Sequence, residues 1–150
     1  MGLNRLLTFL DHHHKIALDT SVFIYYLEAN KRYLACTERI FDWLELPGHS
    51  AVTSTITMTE VLVHPHRQND LQRASELYGL LSRYPNLEWV APDLGIAELA
   101  ARLRARYRLK TADALQAATA AQRAAIGFVT NDADFRSLPL LQVLLLDDVL

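Results

Sequence analysis

The sequence has few of the residues that cross-link small secreted proteins or bind zinc through thiolates. Cys36 is the only cysteine in 150 residues, which excludes an internal disulfide and a cysteine-rich zinc site. Because Cys36 lies within a helical pattern, we interpret it as a small core residue. An unpaired thiol is typical of a protein in a reducing compartment, and we expect this protein to be cytoplasmic.

The chain also lacks long hydrophobic runs and an excess of basic charge. Its first apolar segment, Leu6 to Leu10, is interrupted by Thr8 and is too short for a signal peptide or a membrane span. The formal net charge is −2, so binding to a nucleic acid would require a local basic patch. No glycine-rich phosphate loop occurs, which argues against a nucleotide-cofactor enzyme. We expect no association with membranes.

The sequence does contain short apolar runs that alternate with longer helical patterns. Its length and its 51% of apolar residues predict one domain over residues 1–150. The alternation is typical of a parallel α/β sheet. The predicted strands are 16–18, 51–53, 87–90, 128–130 and 142–146. The predicted helices are 21–29, 31–46, 55 to just before Pro65, 69–82, 93–107 and 111–125, the last capped by Thr111.

Three aspartates are predicted to meet at one edge of this sheet. Ligands bind to open parallel sheets beyond the carboxyl ends of the strands, and Asp19 and Asp132 follow the first and fourth strands. The helix that carries Asp113 ends at the opposite edge, where Gly127 leads into the fourth strand. That helix must therefore begin at the edge where Asp19 lies.

Glu60 is the fourth acid, in the helix after the second strand. At helical spacing it shares a face with the apolar Ile56 and Val63, and an inward-facing carboxylate costs free energy unless its charge is compensated. Convergence with the three aspartates would raise the pKa values of all four acids. A divalent cation removes this conflict, and hard oxygen ligands favour Mg²⁺ or Mn²⁺. Such a cation activates water and stabilises charge on a phosphodiester.

Each acid also has a simpler explanation when it is considered alone. Asp19 could be a helix N-cap, and Asp113 lies in a first helical turn, where the macrodipole favours any acid. Asp132 and Asp134 lie in an Asn-Asp turn, where acids are common. Glu60 is harder to explain locally because its helical neighbours are apolar. The conjunction therefore supports the metal-site hypothesis, because four independent local explanations would all have to fall at the same edge of the sheet.

These segments resemble the PIN-domain family, and in particular the VapC-type toxins of bacterial toxin–antitoxin pairs. The matching segments are IALDTSVFI at 16–24, STITMTEVL at 54–62, DALQAATA at 113–120 and VTNDADF at 129–135. Each segment alone is a weak indication of the family, whereas all four segments in this order are a specific one. The chain departs from the pattern at His64, where glycine is frequent, and at Gln116, which replaces a common aliphatic residue. We expect neither departure to touch the acids, although His64 could alter the rim of the cleft.

The resemblance implies a three-layer α/β/α fold whose parallel five-stranded sheet has the order 3-2-1-4-5. It also implies hydrolysis of RNA phosphodiester bonds with Mg²⁺ as the cofactor, which Mn²⁺ could replace. A small antitoxin is the implied partner. The implied catalytic and metal-binding residues are Asp19, Glu60, Asp113 and Asp132. Thr20 or Ser21 would lie beside them, Thr130 would steady the fourth acid, and Asp134 could share its role. We also expect a homodimer.

Five cations precede the helix that carries Asp113. They are Arg102, Arg104, Arg106, Arg108 and Lys110. Leu99, Leu103 and Tyr107 mark the buried stripe of this segment, so the cations should face solvent. They could hold RNA phosphates near the metal or form an ordinary solvated helix face. Their position beside the acidic edge favours RNA binding.

Two other features are interpreted as structural. The run His12-His13-His14 resembles a metal-binding sequence, but it precedes the first strand and should lie at the edge opposite the acids. We interpret it as exposed and without function. The aromatic residues Tyr25, Tyr26, Trp43 and Trp89 are predicted to pack in the core or on a dimer face.

Three other functions were compared with a toxin ribonuclease. An aspartyl-phosphate phosphatase needs a second aspartate two residues after Asp19, where this chain has Ser21, and is rejected. A non-catalytic protein-binding module tends to lose the acids, whereas all four remain here. The sequence hardly distinguishes a toxin from a PIN nuclease that has no antitoxin and works in RNA processing or decay. The short chain, without an added RNA-binding domain, favours the toxin.

Overall fold

The computed structural model describes residues 2–150 as a parallel sheet between two layers of helices. The strands are β1 (Lys15–Leu18), β2 (Ser50–Ser54), β3 (Leu87–Val90), β4 (Gly127–Thr130) and β5 (Gln142–Leu145). The helices are α1 (Gly2–His12), α2 (Thr20–Leu27), α3 (Leu34–Glu45), α4 (Thr55–Arg67), α5 (Leu71–Ser82), α6 (Leu94–Tyr107) and α7 (Thr111–Gln122). Short 3₁₀ helices at Ala133–Phe135 and Leu146–Val149 follow β4 and β5.

The strands are hydrogen-bonded in the order β3-β2-β1-β4-β5, and every pair is parallel. This confirms the predicted three-layer fold and strand order. Ile16 of β1 is in register with Ala51 of β2 on one side and with Gly127 of β4 on the other. The strand order reverses between β1 and β4, and a crevice for ligands forms beyond the carboxyl ends of the strands at such a switch point.

The sheet has a hydrophobic layer on each face because successive side chains of a strand point to opposite sides. Ile16 and Leu18 of β1 belong to the layer that packs against α1 to α5, whereas Ala17 belongs to the layer under α6 and α7. In β4, Val129 and Phe128 divide in the same way. Burial on both faces explains why these strands read as continuous apolar runs.

Helix α7 lies close to the sheet because its inner face consists of small residues. Ala114, Ala117 and Ala118 are completely buried, and the helix packs against α6 and β2. The side chain of Gln122, at the end of α7, donates to Asp93 at the start of α6 with an N–O distance of 3.2 Å. The two helices are therefore antiparallel. Because α7 leads through a short turn into the start of β4, it begins at the carboxyl edge of the sheet.

The predicted boundaries of α4 and α7 were wrong. Helix α4 does not end before Pro65 but continues to Arg67. Proline removes one helical hydrogen bond, but the Pro65 ring is buried and its carbonyl accepts from the backbone N–H of Asp70 at 2.9 Å. Thr111 is the first residue of α7 rather than its cap, since Lys110 occupies the N-cap position without a side-chain bond. Helix α7 also ends at Gln122, three residues early.

The sequence reading missed α1, which spans Gly2–His12. Its buried Leu6 and Leu10 are four residues apart and so lie on one face. The histidine run is also less exposed than predicted. His13 is half-buried, with Nδ1 2.7 Å from the carbonyl of Phe9 and Nε2 2.7 Å from the Gln142 side-chain oxygen. None of the helices within residues 2–150 is long and apolar enough to cross a membrane.

Candidate functional site

A cleft of about 440 Å³ opens at the carboxyl edge of the sheet, between β1 and β4. Helices α2, α4 and α7 and the loop after β4 form its walls. Its lining residues are Asp19, Thr20, Ser21, Ile24, Tyr25, Glu60, Asp113, Asn131, Asp132 and Ala133. The four acids that the sequence analysis selected therefore all line one cavity.

Asp19 is the most deeply buried of these acids, with 7% of its surface exposed. Its backbone N–H donates to the carbonyl of Val129 at 3.0 Å, which holds the residue between β1 and β4. It occupies the N-cap position of α2 but makes no side-chain capping bond there. Its Oδ2 instead accepts from the Thr130 hydroxyl at 2.7 Å. The N-cap explanation does not account for this side chain.

Burial raises the pKa of Asp19 from its ordinary value of 3.8 to about 6. The hydrogen bond from Thr130 opposes this change, while the negative charges of Asp113 and Glu60 add to it. The pKa of Asp113 is also raised to about 6, first by burial and then by Asp132 and Glu60, with Lys110 acting in the opposite direction. Like charges in a partly dry cleft therefore make ionisation unfavourable at both positions.

Asp113, Asp132 and Asp134 form the tightest acidic group. Each offers one carboxylate oxygen, and these three atoms lie within 4.8 Å of one another. Asp132 also caps the following 3₁₀ helix, since its Oδ1 accepts from the backbone N–H of Asp134 at 2.9 Å. The predicted local turn is therefore present, but it uses only one oxygen of Asp132. Asp134 is exposed, whereas Asp132 is half-buried and lines the cleft.

Glu60 reaches the cleft for a different reason from the one predicted. The buried stripe of α4 consists of Thr57, Val61 and Pro65, while Glu60 is exposed and Val63 is 40% exposed. The prediction that Glu60 lies on an inward-facing stripe was wrong, because α4 is rotated about its axis relative to the predicted orientation. Glu60 is at the border of the stripe.

Three polar side chains connect the walls of the cleft. The Thr20 hydroxyl donates to Oε1 of Glu60 at 2.7 Å and thereby links α2 to α4. The Ser21 hydroxyl accepts from the backbone N–H of Asn131 at 3.2 Å. The Thr130 hydroxyl, which donates to Asp19, accepts from the backbone N–H of Asp132 at 3.0 Å. Thr130 thus contacts the main chain of the fourth acid and the carboxylate of the first.

Among the cleft residues that sequence reasoning missed, two are polar. Asn131 donates from its side-chain amide to the Tyr25 hydroxyl at 3.3 Å and accepts from the backbone N–H of Asp147 at 2.9 Å. Its position next to Asp132 in the sequence could have identified Asn131 as a cleft residue. Tyr25 was assigned to the core or to a dimer face, but it is half-buried and stacks on Tyr33 with ring centroids 4.2 Å apart. Tyr25 therefore forms part of the wall.

The five predicted RNA-binding cations are all exposed. Two of them form an ion pair or a hydrogen bond within their own segment: Arg102 pairs with Glu98 at 2.9 Å, and Arg104 donates to the carbonyl of Leu109 at 3.0 Å. Arg106 lies over the Tyr107 ring. Lys110 is close enough to Asp113 to lower its pKa, so the basic segment ends beside the acids.

The donor set of the cleft fits a divalent cation. Among residues 2–150, neither Asp19 nor Glu60 nor any of the three clustered aspartates forms a salt bridge. No ion pair within the described part of the chain therefore balances their negative charge, although Asp19 is buried and the charge of Lys110 acts on Asp113 from nearby. Carboxylate oxygens are the ligands that Mg²⁺ and Mn²⁺ prefer. Bound there, such a cation would offset the repulsion that raises the pKa values of Asp19 and Asp113.

Comparison with known proteins identifies similar folds. The family model described as PIN domain matches residues 16–140. The chain is similar to the DNA-bound VapBC of Salmonella typhimurium, with a TM-score of 0.68, 22% identity and coverage of 88% of this chain and 98% of that one. It is also similar to VapBC-1 of nontypeable Haemophilus influenzae, with a TM-score of 0.67, 18% identity and coverage of 89% and 98%.

A third similar structure is a toxin–antitoxin complex from Klebsiella pneumoniae, with a TM-score of 0.63, 23% identity and coverage of 87% of this chain and 97% of that one. At these identities the likeness concerns the fold. No curated protein matches the chain.

Proposed function

Because the chain belongs to the PIN domain family, we propose that it is a Mg²⁺-dependent ribonuclease and the toxin of a type II toxin–antitoxin pair. The observation that carries the proposal is the acidic cleft. Carboxylate oxygens of Asp113, Asp132 and Asp134 lie within 4.8 Å of one another, and Asp19 and Glu60 line the same cavity. This set of oxygen donors suits a hard divalent cation and phosphodiester chemistry.

In this proposal Asp19, Glu60, Asp113 and Asp132 hold the cation, and Mn²⁺ can replace Mg²⁺. When bound, the cation supplies a water of lowered pKa and positive charge for the scissile phosphate. Asp134 adds negative charge at the rim. The Thr130 hydroxyl keeps the carboxylate of Asp19 oriented from one side, at 2.7 Å. This contact orients one of the ligands before the cation binds, which favours a preorganised site.

RNA is the proposed substrate, and the basic segment before α7 is proposed to hold it. Lys110 lies at the N-cap of α7 and affects the charge of Asp113. The side chains of Arg106 and Arg108 are exposed on the same segment. Cations at this position would bind phosphates on either side of the scissile bond without reading the sequence.

A small antitoxin is the proposed partner, and a groove beside the cleft, with a mixed apolar and polar lining, is its proposed binding site. This groove of about 270 Å³ lies between α2, α4 and α5, and its lining includes Leu27, Val61 and Leu77. Ile24 lines both the groove and the acidic cleft, so the two are adjacent. A partner segment with apolar side chains in the groove could place an arginine among the carboxylates.

We also propose that the protein works in the cytoplasm as a homodimer of single-domain chains. Leu71 and Tyr78 of α5 are 67% and 56% exposed, and a second copy could bury these apolar surfaces. Light scattering coupled to size-exclusion chromatography measures the mass directly. A monomer at micromolar concentration would contradict this part of the proposal without affecting the nuclease assignment.

The central experiment measures cleavage of single-stranded and structured RNA with Mg²⁺, with Mn²⁺ and with chelator. Cleavage should require the cation and should be lost in Asp113→Asn, purified in parallel to exclude a contaminating nuclease. Expression without a partner should arrest bacterial growth. Harmless expression of a nuclease that is active in vitro would favour an RNA-processing enzyme, and an absence of both cleavage and metal binding would favour a protein-binding module.

A further inference from the structure

The side chain of Gln116 is buried in the middle of a polar network. It lies one turn after Asp113 on α7 and is 2% exposed. Its amide contacts Thr20, Thr57 and the backbone of Ser54, which belong to α2, α4 and β2. A buried amide that is fully hydrogen-bonded rigidifies its surroundings.

The orientation of the Gln116 amide follows from its partners. The backbone N–H of Ser54 can only donate, and it lies 3.4 Å from Oε1 of Gln116. The amide nitrogen must therefore point the other way, towards two hydroxyl oxygens. Its distances are 2.7 Å to Oγ1 of Thr57 and 3.4 Å to Oγ1 of Thr20. Gln116 thus donates one N–H to each threonine.

The direction of the next hydrogen bond is also determined. The Thr53 hydroxyl donates its proton to the carbonyl of Leu18 at 2.9 Å. Thr53 therefore accepts from the Thr57 hydroxyl, which lies 2.7 Å away. Thr57 has used its only proton in this bond, and it receives an N–H from Gln116. This branch of the network is complete without any contribution from Thr20.

Thr20 then has one proton and two acceptors within reach. Oγ1 of Thr57 is 3.2 Å away, and Oε1 of Glu60 is 2.7 Å away. Gln116 supplies the donor that Thr57 needs, and it also points its second N–H at the oxygen of Thr20. Both effects leave the Thr20 proton free to face Glu60. The hydroxyl is held by the restricted χ1 rotation of threonine.

We propose that Gln116 is a positioning residue that orients the carboxylate of Glu60 through the hydroxyl of Thr20. This inference rests on the proposed function, in which Glu60 is a metal ligand. Glu60 is exposed on α4, so its side chain would otherwise sample several rotamers and lose that freedom when a cation binds. The network restricts these rotamers in advance. Outer hydrogen bonds of this kind commonly change metal affinity by 10–100-fold.

The test compares Gln116→Leu, Thr20→Val and the double variant with the parent protein. Calorimetric titration with Mn²⁺ measures affinity independently of catalysis, and RNA cleavage gives the Mg²⁺ concentration at half-maximal rate. We expect each single variant to weaken Mn²⁺ binding by about tenfold. The double variant should lose no more than either single variant, because Gln116 acts through Thr20. Thr20→Ser should restore most of the affinity, since it keeps the hydroxyl.

Thr119→Val is the matched control. Thr119 is also buried on α7, but its hydroxyl donates to the carbonyl of Leu115 at 2.7 Å and does not contact the network. It should leave Mn²⁺ affinity unchanged even if it changes the melting temperature. Should Gln116→Leu fail to fold, Gln116→Met removes the same donors with a more adaptable side chain.

The possible outcomes separate this inference from the proposed function. Weak Mn²⁺ binding by Glu60→Gln together with parental affinity in Gln116→Leu would overturn the positioning role and leave the metal site intact. Additive losses in the double variant would also overturn it, because they would show that Gln116 does not act through Thr20. Parental Mn²⁺ affinity in Glu60→Gln would instead overturn the assignment of Glu60 as a ligand, and with it this inference.

Discussion

The two edges of the sheet differ in how their polar side chains are satisfied. At the amino edge, Nδ1 of His13 donates to the carbonyl of Phe9 at 2.7 Å, and Nδ1 of His49 donates to the carbonyl of Trp43 at 2.7 Å. At the carboxyl edge, Asp19 and Asp113 have raised pKa values because of burial and nearby like charges. Both of these histidines at the amino edge are paired with backbone carbonyls, although Nε1 of Trp43 beside His49 is buried without a hydrogen-bond partner among residues 2–150. The carboxyl edge instead carries unbalanced negative charge.

This difference shows that adjacency in sequence is a poor guide to a metal site. The three consecutive histidines, at residues 12–14, look more like a chelating motif than four acids spread between residues 19 and 132. Yet the helix end turns the histidines towards different partners, whereas the parallel sheet brings the acids together. Unbalanced charge at a strand-order switch point is the stronger indication of a ligand.

The largest expected effect is on the rate of RNA cleavage, which substitutions at the two edges should change very differently. Asp19→Asn and Asp113→Asn keep the size of the side chain but remove one ligand charge each. We expect each to reduce RNA cleavage by about a hundredfold or more, because metal stabilisation of the transition state is worth several kcal/mol. His12→Ala and His14→Ala should cleave at the parental rate. Full cleavage by Asp19→Asn in Mg²⁺ would end the case for this active site.

The next effect is the stabilisation by metal. At a hundred times its Kd, a cation that binds only the folded state adds about 2.7 kcal/mol, which for this length raises the melting temperature by roughly 5–10 °C. Differential scanning fluorimetry with and without Mn²⁺ measures the shift. It should persist in the double variant His12→Ala/His14→Ala and shrink in Asp113→Asn. An equal shift in Asp113→Asn would place the cation elsewhere.

In the metal-free protein, substitutions at the two edges should change stability in opposite directions. Asp19→Asn should raise the free energy of unfolding at pH 7 by about 1–3 kcal/mol, since each pKa unit corresponds to 1.36 kcal/mol. The folded-state pKa is above the ordinary value of 3.8, so the ionised carboxylate destabilises the fold. The advantage of the asparagine should be full above about pH 6 and absent below about pH 4.

At the amino edge, His13→Ala should lower the free energy of unfolding by about 1 kcal/mol, because it removes the hydrogen bond from Nδ1 to the carbonyl of Phe9. Urea denaturation in chelator, at pH 4 and pH 7, measures both variants. If Asp19→Asn destabilised the metal-free protein by the same amount at both pH values, the unbalanced-charge interpretation of the carboxyl edge would be wrong.

The smallest expected effect lies within the carboxyl edge. Asp132 lines the cleft, whereas Asp134 is exposed beside it. We expect Asp132→Asn to reduce RNA cleavage about tenfold more than Asp134→Asn, a difference of roughly 1.4 kcal/mol. Asparagine can still accept the capping bond from the backbone of residue 134, so a folding defect should not contribute. Equal losses would show that the two carboxylates share one role.

Part of the fold was predictable because its signals are local. The apolar runs located all five strands, and parallel pairing then determined which edge received Asp19, Asp113 and Asp132. Helix α1 was missed because its short apolar stripe was judged only as a targeting signal. The rotation of α4 was also missed, since Ile56 and Val63 are apolar but not fully buried. Helical spacing predicts which residues share a face but not which face is inward.

The sequence by itself determined the class of fold and the edge at which the acids meet, because hydrophobic periodicity and strand direction are properties of the chain. The tertiary structure alone decided the hydrogen bond from Thr130 to Asp19 and the connection of Gln116 through Thr20 to Glu60. Thr130 and Asp19 are 111 positions apart in the sequence, and Gln116 and Thr20 are 96 positions apart. Thr20 and Glu60 lie on different helices. The geometry of these contacts depends on how three helices pack around the end of β1, and no local pattern encodes that packing.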